Sequence, residues 1–220
     1  MHRSGTSCLI GLLEQAGIFL GSVSRKNRYN IRGNHENPRI MNLHDELLTV
    51  NGGSWHEPPK VVIWPKELKN IRDEIIKEYE KFAGKTCWGF KDPRTLFTLE
   101  GWTEALSSFD LVGIYRNPLL VAESLFRRNK FPIEKGLDLW FRYNERLFFY
   151  FTKYQFPIVS FDSEPFKEKF LQLINHLGLP KTGQFLNFYE PSLRHSSPPA
   201  EKPLSRKLSE LYMKLEEISL

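Results

Sequence analysis

The sequence predicts an α/β architecture, a central parallel sheet flanked by helices on both faces. Three observations carry this prediction. Short apolar segments of strand character recur at residues 86–90, 111–115 and 158–161. Each is followed by a turn and a helical pattern, beginning at Leu96, Pro118 and Pro165 respectively. Strands alternating with helices need crossover connections, which give parallel pairing with both faces covered. The third observation is size: 220 residues with 40% hydrophobic content can bury a real core, so residues 1–220 read as a single domain.

The elements follow in order. Residues 5–16 read as a helix stopped by Gly17, and residues 21–35 as a polar, basic loop rich in Asn, Arg and Gly. A second helix starts at Asn37-Pro38, where proline suits an early helical position. Its apolar face is Ile40, Leu43, Leu47 and Leu48, and Asn51-Gly52-Gly53 end it. Residues 65–82 are strongly amphipathic, with Leu68, Ile71, Ile75, Ile76, Tyr79 and Phe82 on one side and Gly84 as the stop. Residues 147–151 are very apolar, but Arg142, Glu145, Arg146 and Lys153 surround them, so they read as buried helix rather than membrane span. A Pro- and Ser-rich loop over 190–203 precedes a closing amphipathic helix over 204–218.

Composition narrows the function. The net charge of +5 suits an anionic ligand but is spread along the chain, without a basic stripe interleaved with aromatics, so nucleic acid ranks last. Cys8 and Cys87 lie far apart, with no metal-ligand spacing and no disulfide framework, which fits a reducing, cytoplasmic setting. No signal peptide and no membrane span are expected.

Three clusters carry chemistry. The first is Met1-His2-Arg3-Ser4-Gly5-Thr6-Ser7, opening straight into Leu9, Ile10, Leu12 and Leu13. Gly5 lets the backbone approach an anion, the N–H groups of Thr6 and Ser7 point at it, and Arg3 adds fixed charge. The hydroxyls of Ser4, Thr6 and Ser7 supply neutral donors. An ordinary helix cap with a stray Arg would look the same. The loop lacks the Gly-Lys-Ser/Thr ending of an ATP-binding loop, which argues against a small-molecule kinase. The second cluster is Lys91-Asp92-Pro93-Arg94, a turn after residues 86–90 that would hold Lys91 and Arg94 at the ligand edge of the sheet, with Asp92 pairing to a neighbouring Arg. A solvated, charged turn is the alternative. The third is Tyr115-Arg116-Asn117-Pro118, followed by Ser124 and Arg128 one helical turn apart on one face. With Arg116 they could grip a second phosphate some distance from the first, unless the helix is simply basic and exposed.

In this order the clusters resemble the sulfotransferases that use 3′-phosphoadenosine-5′-phosphosulfate (PAPS), in particular bacterial members related to the tyrosylprotein branch. His2-Arg3-Ser4-Gly5-Thr6-Ser7 resembles the loop for the 5′-phosphosulfate. Tyr115-Arg116-Asn117-Pro118, with Ser124 eight positions beyond Arg116, resembles the 3′-phosphate site, and Arg128 matches a further cofactor-binding Arg. Lys91-Asp92-Pro93 resembles the catalytic-lysine segment.

The resemblance implies a three-layer sandwich like that of P-loop NTPases, and transfer of a sulfuryl group to a hydroxyl or amine acceptor, with carbohydrates or small molecules favoured. PAPS would be the co-substrate, with no metal. Arg3 would stabilise the leaving phosphate oxygen, and Lys91 the equatorial sulfonate oxygens. Glu36, in Gly33-Asn34-His35-Glu36-Asn37-Pro38, matches the bacterial base position, with His35 in reserve; a helix-start carboxylate favoured by the dipole is the plain alternative. Arg194 would be a late cofactor contact.

Departures are visible too. Cys8 stands where cytosolic relatives stack a Trp on adenine, and Phe161 where the tyrosylprotein branch has a Tyr. Relatives carry an apolar strand before the opening loop, so the resemblance implies a sheet without that first strand. A non-catalytic, sulfotransferase-like domain that binds anions or a partner is therefore the second expectation.

Overall fold

The computed structural model describes residues 1–25, 33–84, 86–162, 164–180 and 203–220. The architecture is mixed α/β, mostly helical, with a small two-stranded parallel sheet. The Pro- and Ser-rich loop up to residue 202, with Arg194, lies outside the described residues, as does part of the basic loop (26–32).

Local chemistry sets most helix boundaries. Helix α1, Thr6–Gln15, begins after a left-handed Gly5 and buries Leu9, Ile10, Leu12 and Leu13. Helix α2, Pro38–Val50, is capped by Asn37, whose side chain accepts from the N–H groups of Arg39 and Ile40. Helix α3, Lys66–Ala83, buries Leu68, Ile75, Ile76 and Tyr79 and stops at Gly84; Phe82, expected on that face, is largely exposed. Helix α4 is Thr95–Ala105. Strand β1, Gly113–Tyr115, runs into α5, Pro118–Asn129, which Asn117 caps as Asn37 caps α2. Helix α6, Ile133–Tyr154, contains the apolar run and presents Leu147 and Tyr150 inward while Phe149 faces solvent. Strand β2, Ile158–Ser160, helix α7, Phe166–His176, and helix α8, Arg206–Ile218, complete the order.

Strands β1 and β2 pair in parallel, Gly113 with Ile158, Ile114 with Val159 and Tyr115 with Ser160. Period-two alternation sends their side chains to opposite faces. Ile114 and Val159 join α1 and α7 in one apolar cluster. Tyr115 and Ile158 join α5, α6 and α8 in another. A third cluster gathers α2, α3 and α4 around Trp64 and Trp102.

Residues 86–90 depart from expectation. They form no strand, only a parallel bridge from Trp88 to Phe19, through Phe19 N–H to Cys87 C=O and Gly89 N–H to Phe19 C=O. Thr86 and Cys87 are exposed, and among the described residues no strand pairs with the opposite edge. Strand character in a sequence becomes a strand only where a neighbour completes the ladder. Among the described residues, no helix is long and apolar enough to cross a membrane.

Candidate functional site

The loop before α1 is shaped by two left-handed residues, Arg3 (φ 65°) and Gly5 (φ 82°), on either side of Ser4. Such turns line up successive N–H groups into an anion-binding concavity. The Gly5 carbonyl accepts from the N–H groups of Cys8 and Leu9, and among the described residues no side chain caps α1. The N–H groups of Thr6 and Ser7 are therefore first-turn donors open to a ligand. The Ser4 hydroxyl is fully buried and, among the described residues, has no hydrogen-bond partner. Only glycine fits at position 5, because a Cβ there would come within 2.2 Å of the Phe161 ring.

A guanidinium cluster stands beside this loop. Arg3 donates from Nε to Ser124 Oγ at 2.8 Å. Arg116 donates from Nη1 to the Arg3 carbonyl at 3.5 Å and from Nε to Asp162 Oδ1 at 3.1 Å. The other Asp162 oxygen accepts from the Asn117 N–H at 2.6 Å, so one carboxylate fixes both Arg116 and the start of α5. The Arg116 guanidinium also lies 5.5 Å over the Phe161 ring, and its carbonyl accepts from the Trp140 indole. Burial, then the charges of Arg128, Arg116 and Arg127, bring the Arg3 pKa down to about 10. Repulsion among these cations is relieved by an anion among them.

The sequence separates the Arg3 loop from the Arg116–Ser124 pair, as grips on two distant phosphates. The structure instead joins Arg3 to Ser124 directly, because the long Arg3 side chain bridges the gap to α5.

Across the loop, Lys91 Nζ lies 2.7 Å from Glu36 Oε1 and 3.4 Å from Ser7 Oγ, and Ser7 donates to the Asn34 carbonyl at 3.2 Å. Burial lowers the Lys91 pKa, while the Glu36 carboxylate opposes that shift. Glu36 is held where the chain enters α2, with its carbonyl accepting from Ser24 N–H. His35 takes a left-handed conformation (φ 51°) and places Nδ1 3.1 Å from Glu14 Oε2. Glu14 also pairs with Arg25.

No family model, no curated protein and no solved structure matches this chain.

Lys91 itself is positioned by a buried network that the sequence barely signals. Arg94 pairs with Asp92 at 3.0 Å and with Asp45 of α2 at 2.6 Å. It is consumed by these contacts rather than presented at a ligand edge. Trp102 donates its indole N–H to His44 Nε2 at 2.8 Å, which puts the ring proton on Nδ1, 3.2 Å from Asp92 Oδ2. Burial by itself would raise the Asp92 pKa, but His44 and Arg94 outweigh it and hold the carboxyl well below the usual range. The 91–94 turn is thereby bolted to α2 and α4.

The structure thus brings Arg3, Ser4, Gly5, Thr6 and Ser7 together with Ser124 and Arg116 on one side, and with Lys91 and Glu36 on the other. Arg128 joins them through its field at Arg3. Sequence reasoning missed Asp162, His44 and Asp45. Asp162 directly follows a strand, and His44 sits among Ile40, Leu43, Leu47 and Leu48 on an apolar helix face, a position where a polar residue signals a buried partner.

Proposed function

We propose that this chain is a PAPS-dependent sulfotransferase acting in the cytoplasm on a hydroxyl or amine acceptor, with a carbohydrate or small molecule favoured. The observation that carries the reading is the meeting at one helix N-terminus of Arg3, Ser124 and Arg116 with the Lys91–Glu36 pair. In this reading the two-stranded sheet, with α1 and α7 on one face and α6 and α8 on the other, is the centre of a three-layer, P-loop-like sandwich.

Sulfuryl transfer resembles phosphoryl transfer, in which positioning and electrostatics dominate. The loop N–H groups and Arg3 hold the 5′-phosphosulfate, and Arg3 leaves Ser124 to meet the charge that grows on the leaving phosphate oxygen. Ser124, Arg116 and Arg128 hold the 3′-phosphate. Asp162 keeps Arg116 in place without touching the substrate. Lys91 steadies the sulfonate oxygens and gives up Glu36, whose carboxylate takes the acceptor proton. The acceptor oxygen or nitrogen forms the new bond to sulfur as the bond between sulfur and the bridging oxygen breaks, that oxygen staying on the 5′-phosphate of the adenosine 3′,5′-bisphosphate released.

Incubation with ³⁵S-labelled PAPS and a panel of carbohydrate and phenolic acceptors tests the reading. Label transfer that Arg3→Ala and Lys91→Ala abolish is the expected result. Failure of adenosine 3′,5′-bisphosphate to bind at any accessible concentration overturns it. One observation favours a second reading, a non-catalytic anion-binding domain: both cations flanking the loop are already engaged, Arg3 by Ser124 and Lys91 by Glu36. Bisphosphate binding without label transfer to any acceptor is the outcome that favours it.

A further inference from the structure

Helix α1 holds the segment that enters α2 at two points. Ser7 donates to the Asn34 carbonyl at 3.2 Å, and Glu14 accepts from His35 Nδ1 at 3.1 Å. Positions 7 and 14 lie about two turns apart on one face of the helix. Arg25 clamps both Glu14 oxygens, Nη2 to Oε1 at 2.6 Å and Nη1 to Oε2 at 3.0 Å, which fixes the plane of the carboxylate. Burial by itself would raise the Glu14 pKa, but Arg25 and His35 outweigh it and lower it. An ionised carboxylate only accepts, so His35 carries a proton on Nδ1, and that nitrogen has no lone pair left to take a proton from a substrate.

His35 needs this brace because its backbone is left-handed (φ 51°), a conformation uncommon outside glycine that persists only where the surroundings impose it. Its N–H donates to the Ser24 carbonyl, and the Ser24 N–H donates to the Glu36 carbonyl, both at 3.0 Å. The next side chain, Glu36, places Oε1 2.7 Å from Lys91 Nζ, and Lys91 closes the circuit at 3.4 Å from Ser7 Oγ. The dihedrals of residue 35 set the direction in which residue 36 leaves the chain. A His35 released to a right-handed or extended conformation therefore carries the Glu36 carboxylate off Lys91. The Arg25 pairing alone, with Arg25 59% exposed, is worth little; the leverage comes from His35, buried at 4%.

We infer that Glu14 is a positioning residue: through His35 it holds the Glu36 carboxylate on Lys91, across the anion loop. That this carboxylate acts as a base rests on the sulfotransferase reading; its placement by Glu14 does not.

The test is acylation of Lys91 by acetic anhydride on the full chain without nucleotide, followed across pH by mass spectrometry, in Glu14→Leu and Glu14→Gln. Glu14→Gln keeps an oxygen that accepts from His35 Nδ1 and is expected to leave the Lys91 profile as in the wild type. Glu14→Leu removes that acceptor and is expected to move the profile to lower pH by about one pH unit or more, the effect of losing an opposite charge at hydrogen-bond distance. Asp92 and Arg94, which also act on Lys91, are the same in both variants. The proposal is overturned by a wild-type profile in Glu14→Leu, even with a lowered Tm, since the role is then structural only. Equal shifts in Glu14→Leu and Glu14→Gln overturn it too, since the charge of Glu14 then acts on Lys91 from a distance. The readout involves no sulfuryl transfer, so a wild type that transfers no label counts against the sulfotransferase reading and leaves this result standing.

Discussion

Arg3 and Ser124 stand 121 residues apart in the chain and share a 2.8 Å hydrogen bond. The guanidinium of the opening loop thus rests on the hydroxyl that, in the proposed reading, receives a phosphate. Arg3→Ala is expected to weaken adenosine 3′,5′-bisphosphate binding by about 10–100-fold, the range for charge-assisted hydrogen bonds, and Ser124→Ala by about tenfold. Titration calorimetry on both single variants and the double variant checks this. The double loss is expected to fall short of the sum, because the two groups form one unit.

Arg116 gives a sharper discrimination. Arg116→Ala is expected to weaken the 3′,5′-bisphosphate far more than an analogue lacking the 3′-phosphate. Asp162→Asn should reproduce part of that difference, because it removes the charge that orients the guanidinium. Competition binding with the two nucleotides measures both, and equal losses for the two ligands would remove the 3′-phosphate assignment.

Glu36→Gln is expected to lower kcat by about 10²–10⁴-fold, the usual worth of a general base, with little change in KM. It should also push the Lys91 amine further down, because the Glu36 charge is what opposes the effect of burial there. The pH dependence of Lys91 acylation, followed by mass spectrometry, reads that shift apart from any loss of activity.

Asp92 makes stability depend on acid. Its folded pKa lies below the unfolded value, so its contribution is fully present above the ordinary Asp pKa of about 3.9. The contribution fades as pH falls below that point toward the depressed folded value. Asp92→Asn is expected to cost about 3 kcal/mol at neutral pH, as when one member of a buried ion pair is removed. It should also flatten the acid limb of a Tm-versus-pH curve.

Gly5→Ala is expected to destabilise the fold by about 2–3 kcal/mol through overpacking and backbone strain. Adding Phe161→Ala removes the ring that a Cβ would strike but leaves the left-handed conformation. Urea denaturation of the pair should therefore recover only part of the loss attributable to position 5.

What the sequence made legible was local. Asn37-Pro38 and Asn117-Pro118 marked two helix starts because a capping side chain and a fixed φ act within three residues. Gly5 was readable as the small residue at the start of a helical pattern, whereas the left-handed turns at Arg3 and Gly5 were not. Residues 86–90 were not, because strand formation depends on a neighbour that local pattern does not contain. The Arg94 contacts were half readable: the pairing with Asp92 is two residues away, whereas Asp45 lies on another helix. The Arg3–Ser124 bond and the Asp162 bridge are products of tertiary placement, and only their charges and hydroxyl were visible beforehand.

The contact of Gly5 with the Phe161 ring has a consequence for synthesis. Residues 3–5 leave the ribosome long before Ser124 and Phe161 do, so the loop must wait, unsupported, for a strand made near the far end of the fold. Contacts of such long range form late and slowly. A nascent chain arrested before residue 161 lacks the ring beside Gly5 and the α7 side chains against which α1 packs, so neither α1 nor the loop ahead of it should be fixed in shape until that part of the chain emerges.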